Sequence, residues 1–169
     1  MDELTRCPWH GDDPLYTRYH DEEWGVPVYD DRLLLAKLIL DGAQAGLSWI
    51  TILRKRERYW EAFDGFDPEK MAVYDEKKIE TLMADPGIIR NRQKINAAIK
   101  NARAYLHLQK ELGSFSDFLW NFVGGKPIDN ALQSEADYVA TSPESEAMAK
   151  ALKKRGFSFV GPTICYAFM

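Results

Sequence analysis

The stretch "IRNRQKINAAIKNARAYLHLQ" places Ile95, Ala98, Ile99, Ala102 and Leu106 three and four residues apart, which puts them on one side of a helix and nowhere together on a strand. A segment this long and this regular needs other apolar faces to pack against, and the remainder of the chain supplies them at the same period. The run "LLLAKLIL" continues the pattern through Leu34 and Leu38 towards Asp41, with Asp30 or Asp31 as its cap. A further helix is expected from about Ser48 through "WITILRKRERYWEAF". Asp67-Pro68 and Ser142-Pro143 each offer a capping side chain followed by a proline suited to the first helical position. No long alternating run suggests a sheet, "GGKPIDN" (124–130) reads as a loop, and no repeat or low-complexity tract is present. The expected fold class is an all-α bundle, and 169 residues suit one compact domain.

Partners and compartment are bounded by composition. No apolar stretch reaches the roughly 18 residues of a membrane span, so no membrane is expected and the location expected is cytoplasmic. Two cysteines, Cys7 and Cys165, far apart, do not make a disulfide framework. Net charge is −4, weakly against nucleic acid, but positive charge is clustered in "RKRER" (54–58), "RNRQK" (90–94) and "KKR" (153–155). Such runs are most often solvated helix faces.

Three features carry chemistry. The stretch "LDGAQAGLSWI" ends an apolar helix with a carboxylate, Asp41, beside a glycine-bearing corner and Trp49. Trp9, Tyr16, Tyr19, Trp24 and Trp49 all fall in the first third of the chain. Aromatics are usually core, but several around one acid would make a stacking pocket for a flat, electron-poor ring such as a nucleobase taken out of its duplex. Near the other end, helix, glycine turn and helix follow one another: Gly156-Phe157-Ser158-Phe159-Val160-Gly161, with Lys153, Lys154 and Arg155 just before. The pattern is as consistent with a clamp on a DNA phosphate as with an ordinary corner between helices. The turn in "DPGIIRNRQK" (85–94) offers the same two readings. Cys7 and His20, with His10 close by, are ligand types for a metal, but two ligands do not make a zinc site.

Together, "DPLYTRYHDEEWGVP", "AGLSWITILRKRE", "GIIRNRQKINAAIKNARAY", "DFLWNFV" and "ALKKRGFSFVGPTICYAFM" resemble the bacterial DNA-3-methyladenine glycosylase I family of the helix-hairpin-helix glycosylase superfamily, in collinear order over nearly the whole chain. The resemblance implies a single glycosylase domain over residues 1–169 with its helix-hairpin-helix at about 143–169. The implied activity is monofunctional base-excision repair, in which 3-methyladenine is flipped from alkylated duplex DNA and its N-glycosidic bond hydrolysed without lyase activity. By position it implies a catalytic, base-contacting carboxylate at Asp41, π-faces from Tyr19 and Trp49, and a pocket completed by Trp9, Tyr16 and Trp24. Gln44, Gly46 and Leu47 would fill the gap left in the duplex, and Lys154, Gly156, Phe157, Ser158 and Gly161 would hold the DNA backbone. The protein would act as a monomer and release free 3-methyladenine.

The chain departs from the family pattern twice. Glu is usual where Asp41 stands. The family's structural zinc is held by a Cys and a His matching Cys7 and His20, plus a His and a Cys beyond the hairpin that this sequence does not contain; the expectation is a half site and a natural protein that continues past Met169. Two rivals stand beside the main reading: a glycosylase for another modified base, and a helix-hairpin-helix DNA-binding protein without catalysis.

Overall fold

The computed structural model describes residues 5–169, and within them every regular element is helical. The helices are α1 (Pro14–Glu22), α2 (Asp31–Ala43), α3 (Trp49–Ala62), α4 (Pro68–Ala72), α5 (Glu76–Met83), α6 (Arg92–Leu112), α7 (Phe115–Trp120), α8 (Pro143–Lys154) and α9 (Pro162–Phe168). The expected caps operate: the Asp30 carboxylate accepts from the Leu33 amide at 2.8 Å, and the Asp67 carboxylate from the amide of Glu69 at 3.0 Å. Asp31 serves a different helix. Its carboxylate accepts from the amides of Phe115 and Ser116 at 3.0 and 2.7 Å, so it holds the start of α7 against the start of α2. Helix α1 was not expected, although Asp13-Pro14 carries the same signature as Asp67-Pro68; the Asp13 side chain accepts from Leu15 and Tyr16.

Helix α2 is the centre of the molecule. Leu34, Leu35, Ala36, Leu38, Ile39, Leu40, Asp41, Gly42 and Ala43 are all buried along it, because α3, α6, α7 and α9 pack around it. On α6, Ile95, Ala98, Ile99 and Ala102 form the buried stripe, while Leu106 is only half-buried and Leu108 takes the core position one turn on. Phe115 joins three elements. It is fully buried, edge-on to Tyr105 of α6 with centroids 5.2 Å apart, and stacked at 5.8 Å on Phe157 of the turn before α9.

That turn is latched to α6 by a buried amide. Asn101 Oδ1 accepts from the Ser158 amide at 2.7 Å, and Asn101 Nδ2 donates to the Ser158 carbonyl at 3.0 Å. One side chain thus satisfies both backbone groups of a residue that no helix ladder serves. Replacing it with alanine strands both. Asn101→Ala is expected to cost about 1–3 kcal/mol in chemical denaturation, and Asn101→Asp, which sets a buried carboxylate against the Ser158 carbonyl, should cost at least as much.

Candidate base-binding site

Burying a carboxylate at the C-terminal end of a helix is doubly unfavourable, since desolvation and the negative end of the helix dipole both oppose its charge. Asp41 sits there with its side chain only 2% exposed. Burial pushes its pKa above the ordinary aspartate value, and the nearby cation of Lys37 pulls it back. Both carboxylate oxygens are engaged by that cation, at 2.6 and 2.7 Å from Lys37 Nζ. The same ammonium lies over the Trp49 ring, 4.3 Å from its centroid.

The corner after Asp41 is made by sequence. Gly46 adopts φ +78°, a conformation open to glycine, and the chain turns back so that Ser48 begins α3 and Trp49 is buried next to α2. Leu47, at the tip, is 42% exposed, which is unusual for a leucine beside the core. Lys94 of α6 ties the corner down by donating to the carbonyls of Ala43 and Ala45 at 2.8 and 2.6 Å. Burial lowers the Lys94 pKa. Gly42 gives the corner its closeness to the C-terminal hairpin, since a Cβ there would lie 3.1 Å from Cβ of Phe159.

The aromatic residues of the first third of the chain do come together. Tyr19 and Trp49 have ring centroids 5.5 Å apart, and Trp9 lies 5.1 Å from Tyr16, 6.5 Å from Tyr19 and 5.2 Å from Trp24. Burial raises the Tyr19 hydroxyl strongly, with the Asp41 charge adding to it, so the phenol is neutral at every physiological pH. Trp24 is at the outer edge, 43% exposed and stacked on His20. Trp49 Nε1 is buried and has no hydrogen-bond partner among the described residues, which leaves a donor beside the acid.

Cys7 and His20 are also neighbours. The Cys7 amide donates to His20 Nε2 at 3.3 Å, and His20 Nδ1 meets Asp21 Oδ1 at 2.9 Å. Among the described residues, no group of three or more His, Cys, Asp or Glu side chains is placed to hold a metal ion.

Beside this same end of α2, where Gly42 faces Phe159, the hairpin expected to contact DNA divides its residues differently from expectation. Lys154 is exposed, Gly156 has φ +91°, and a Cβ at Gly161 would meet nothing within 4 Å, so another backbone could approach there. Phe157, by contrast, is a core residue, 3% exposed on Phe115; its ring is spent on the fold, and its amide donates to the Leu152 carbonyl at 3.1 Å. The Ser158 amide is likewise taken by Asn101, leaving the hydroxyl. The basic run 54–58 does not form a free positive face: Arg54 pairs with Asp13, Arg56 with Glu23, and Arg58 with Glu61 and Asp85, while Lys55 caps the Pro86 carbonyl. Arg92 is held by Glu76 and Glu80. Lys94, which the sequence shows only as the end of the basic cluster 90–94, serves the corner instead, and nothing in the sequence singles out Asn101; Lys37 has a visible signal, standing one helical turn before Asp41.

The chain carrying the buried acid, the aromatic cluster and the exposed corner is similar to known proteins along nearly its whole length. The methyladenine glycosylase family model matches residues 9–169. The chain belongs to that family. It is 51% identical over 165 residues to the DNA-3-methyladenine glycosylase of Haemophilus influenzae, covering 98% of this chain and 89% of that protein. A crystal structure of a 3-methyladenine DNA glycosylase I superposes with a TM-score of 0.95 at 52% identity, covering 98% of this chain and 91% of that one. A variant of a 3-methyladenine DNA glycosylase I solved in complex with 3-methyladenine gives 0.94 at 40% identity, over 98% and 89% of the two chains. No helix among the described residues is long and apolar enough to cross a membrane.

Proposed function

We propose that this chain removes 3-methyladenine from alkylated duplex DNA in base-excision repair by hydrolysing its N-glycosidic bond. The observation that carries this reading is the buried carboxylate of Asp41 beside the Tyr19 and Trp49 rings, within a member of a family whose relatives are DNA-3-methyladenine glycosylases. Methylation at N3 makes the attached base a cation. The bond to C1′ is therefore already weak, and the base leaves with the bonding pair as a neutral molecule while water adds at C1′ and a proton is lost to solvent. The site needs only to hold the flipped base in place and favour its charge. Asp41 does so by accepting hydrogen bonds from the adenine edge, and Tyr19 and Trp49 by presenting π-faces to a cation. Trp9, Tyr16 and Trp24 wall the outer side of the pocket.

Leu47, exposed at the tip of the corner with Gly46 behind it and Gln44 alongside, has the form of a wedge for the space vacated in the duplex. The Lys154 ammonium, the Ser158 hydroxyl and the open backbone at Gly156 and Gly161 serve as the phosphate contact, in the manner of a helix-hairpin-helix. One chain carries all three surfaces, which favours a monomer acting on DNA in the cytoplasm. Trp49→Ala is expected to weaken binding of free 3-methyladenine, measured by calorimetry, by about 1–3 kcal/mol for a lost stacking partner; unchanged affinity removes Trp49 from the pocket.

A further inference from the structure

Lys37 is the group in the site that the proposed reaction does not use. Its ammonium bonds both oxygens of Asp41 and covers the Trp49 ring, so it already holds the carboxylate and the π-face that the proposed function assigns to the cationic base. Two positive charges cannot share that place. The lysine side chain is 30% exposed, against 2% for its partner, so a path to water is open to it and not to Asp41. The helix does little to hold the pair together. A lysine one turn before an acid is the less favourable order along a helix, and the acid is at the dipole's negative end.

Resting on the reading above, we infer that Lys37 is a built-in occupant of the base-binding site, which must swing into solvent before a flipped base can enter and which thereby sets the affinity threshold for entry. It acts on affinity and not on the choice between bases. An occupant that competes with every base equally lowers all their affinities by one common factor, so it raises the threshold without changing the ratio between lesion and normal base. Bases that bind weakly are kept out at ordinary concentrations; a methylated cation, with charge as well as shape to offer, displaces the ammonium.

The test uses the full chain. Ring current from Trp49 should shift the Lys37 ε-methylene protons upfield, and Lys37→Met identifies those signals by removing them. Titration with 3-methyladenine is expected to move them to the position of a solvated lysine. Lys37→Met, about the same length without the charge, should tighten binding of 3-methyladenine and of adenine by the same factor, on the order of three- to tenfold, the scale of a partly exposed ion pair. Lys37→Arg, which keeps a cation, should not tighten either. If 3-methyladenine binds while the ε-methylene signals stay in place, or if Lys37→Met with an unchanged melting temperature binds no tighter, Lys37 is not an occupant and the inference is overturned while the proposed function stands. If the wild-type chain neither binds 3-methyladenine nor releases it from alkylated DNA, the proposed function falls and takes the inference with it.

Discussion

Asp41→Asn is expected to slow single-turnover release of 3-methyladenine by on the order of 10²-fold, the effect of removing one preorganised electrostatic group from an enclosed site, while affinity for undamaged duplex stays nearly unchanged. Asparagine keeps the shape and one acceptor, but it removes the negative charge and puts an NH2 donor where a carboxylate oxygen accepts from Lys37. Burial raises the Asp41 pKa more than Lys37 lowers it, which means the folded state prefers the neutral form. Stability from that preference is present in full below the ordinary aspartate range and is lost as pH rises through the raised, folded value. The fold therefore disfavours the ionised form of Asp41, and the asparagine variant, neutral at all pH, is spared that cost. Excision follows the opposite course: it requires the ionised form, so the acid limb of its pH profile should lie above the ordinary aspartate value and vanish in the variant. Parallel loss of duplex binding and excision would make Asp41 structural.

The largest loss of stability is expected from Phe115→Ala. The ring is fully buried between Tyr105 and Phe157 and is the point where α6, α7 and the hairpin before α9 meet. Truncation removes the apolar transfer energy and leaves a cavity that three converging helices cannot all close, about 3–5 kcal/mol in total. For a chain of this size each kilocalorie is worth roughly 2–4 °C, so the melting temperature should fall by about 6–20 °C. Because Phe115 is the support for Phe157, duplex affinity should drop as well at temperatures where the variant is still folded. A loss below about 1 kcal/mol would show that the hairpin is held by the Asn101 latch alone.

Local chemistry was legible in the sequence where a residue acts on its near neighbours. Asp30, Asp67 and Ser142 begin helices because a capping side chain needs only the two or three amides that follow it. Asp41 stood out for a similar reason: an acid closing an apolar run has no ordinary structural use. What could not be read was the destination of side chains that cross between elements. The arginines of 54–58 looked like a DNA-facing patch or a solvated face, and three of them instead meet Asp13, Glu23 and Asp85, far away in sequence. The resemblance implies Phe157 as a DNA contact, but its ring packs on Phe115. Asn101 lies beside the apolar stripe of α6 and gave no hint that its partner was Ser158. Lys37 was different. Its spacing from Asp41 was in plain view, and only the depth of burial at that end of α2 gave the pair its meaning.

The most direct test is release of free base from methylated duplex DNA by this chain, with products separated to distinguish 3-methyladenine from 7-methylguanine and 3-methylguanine. The result expected is release of 3-methyladenine with the other two left in the DNA, and its loss in Asp41→Asn. Duplex binding with strong salt dependence, no preference for alkylated sites and no base released would contradict it, and would leave a DNA-binding protein in which the buried acid and the aromatic cluster serve the fold.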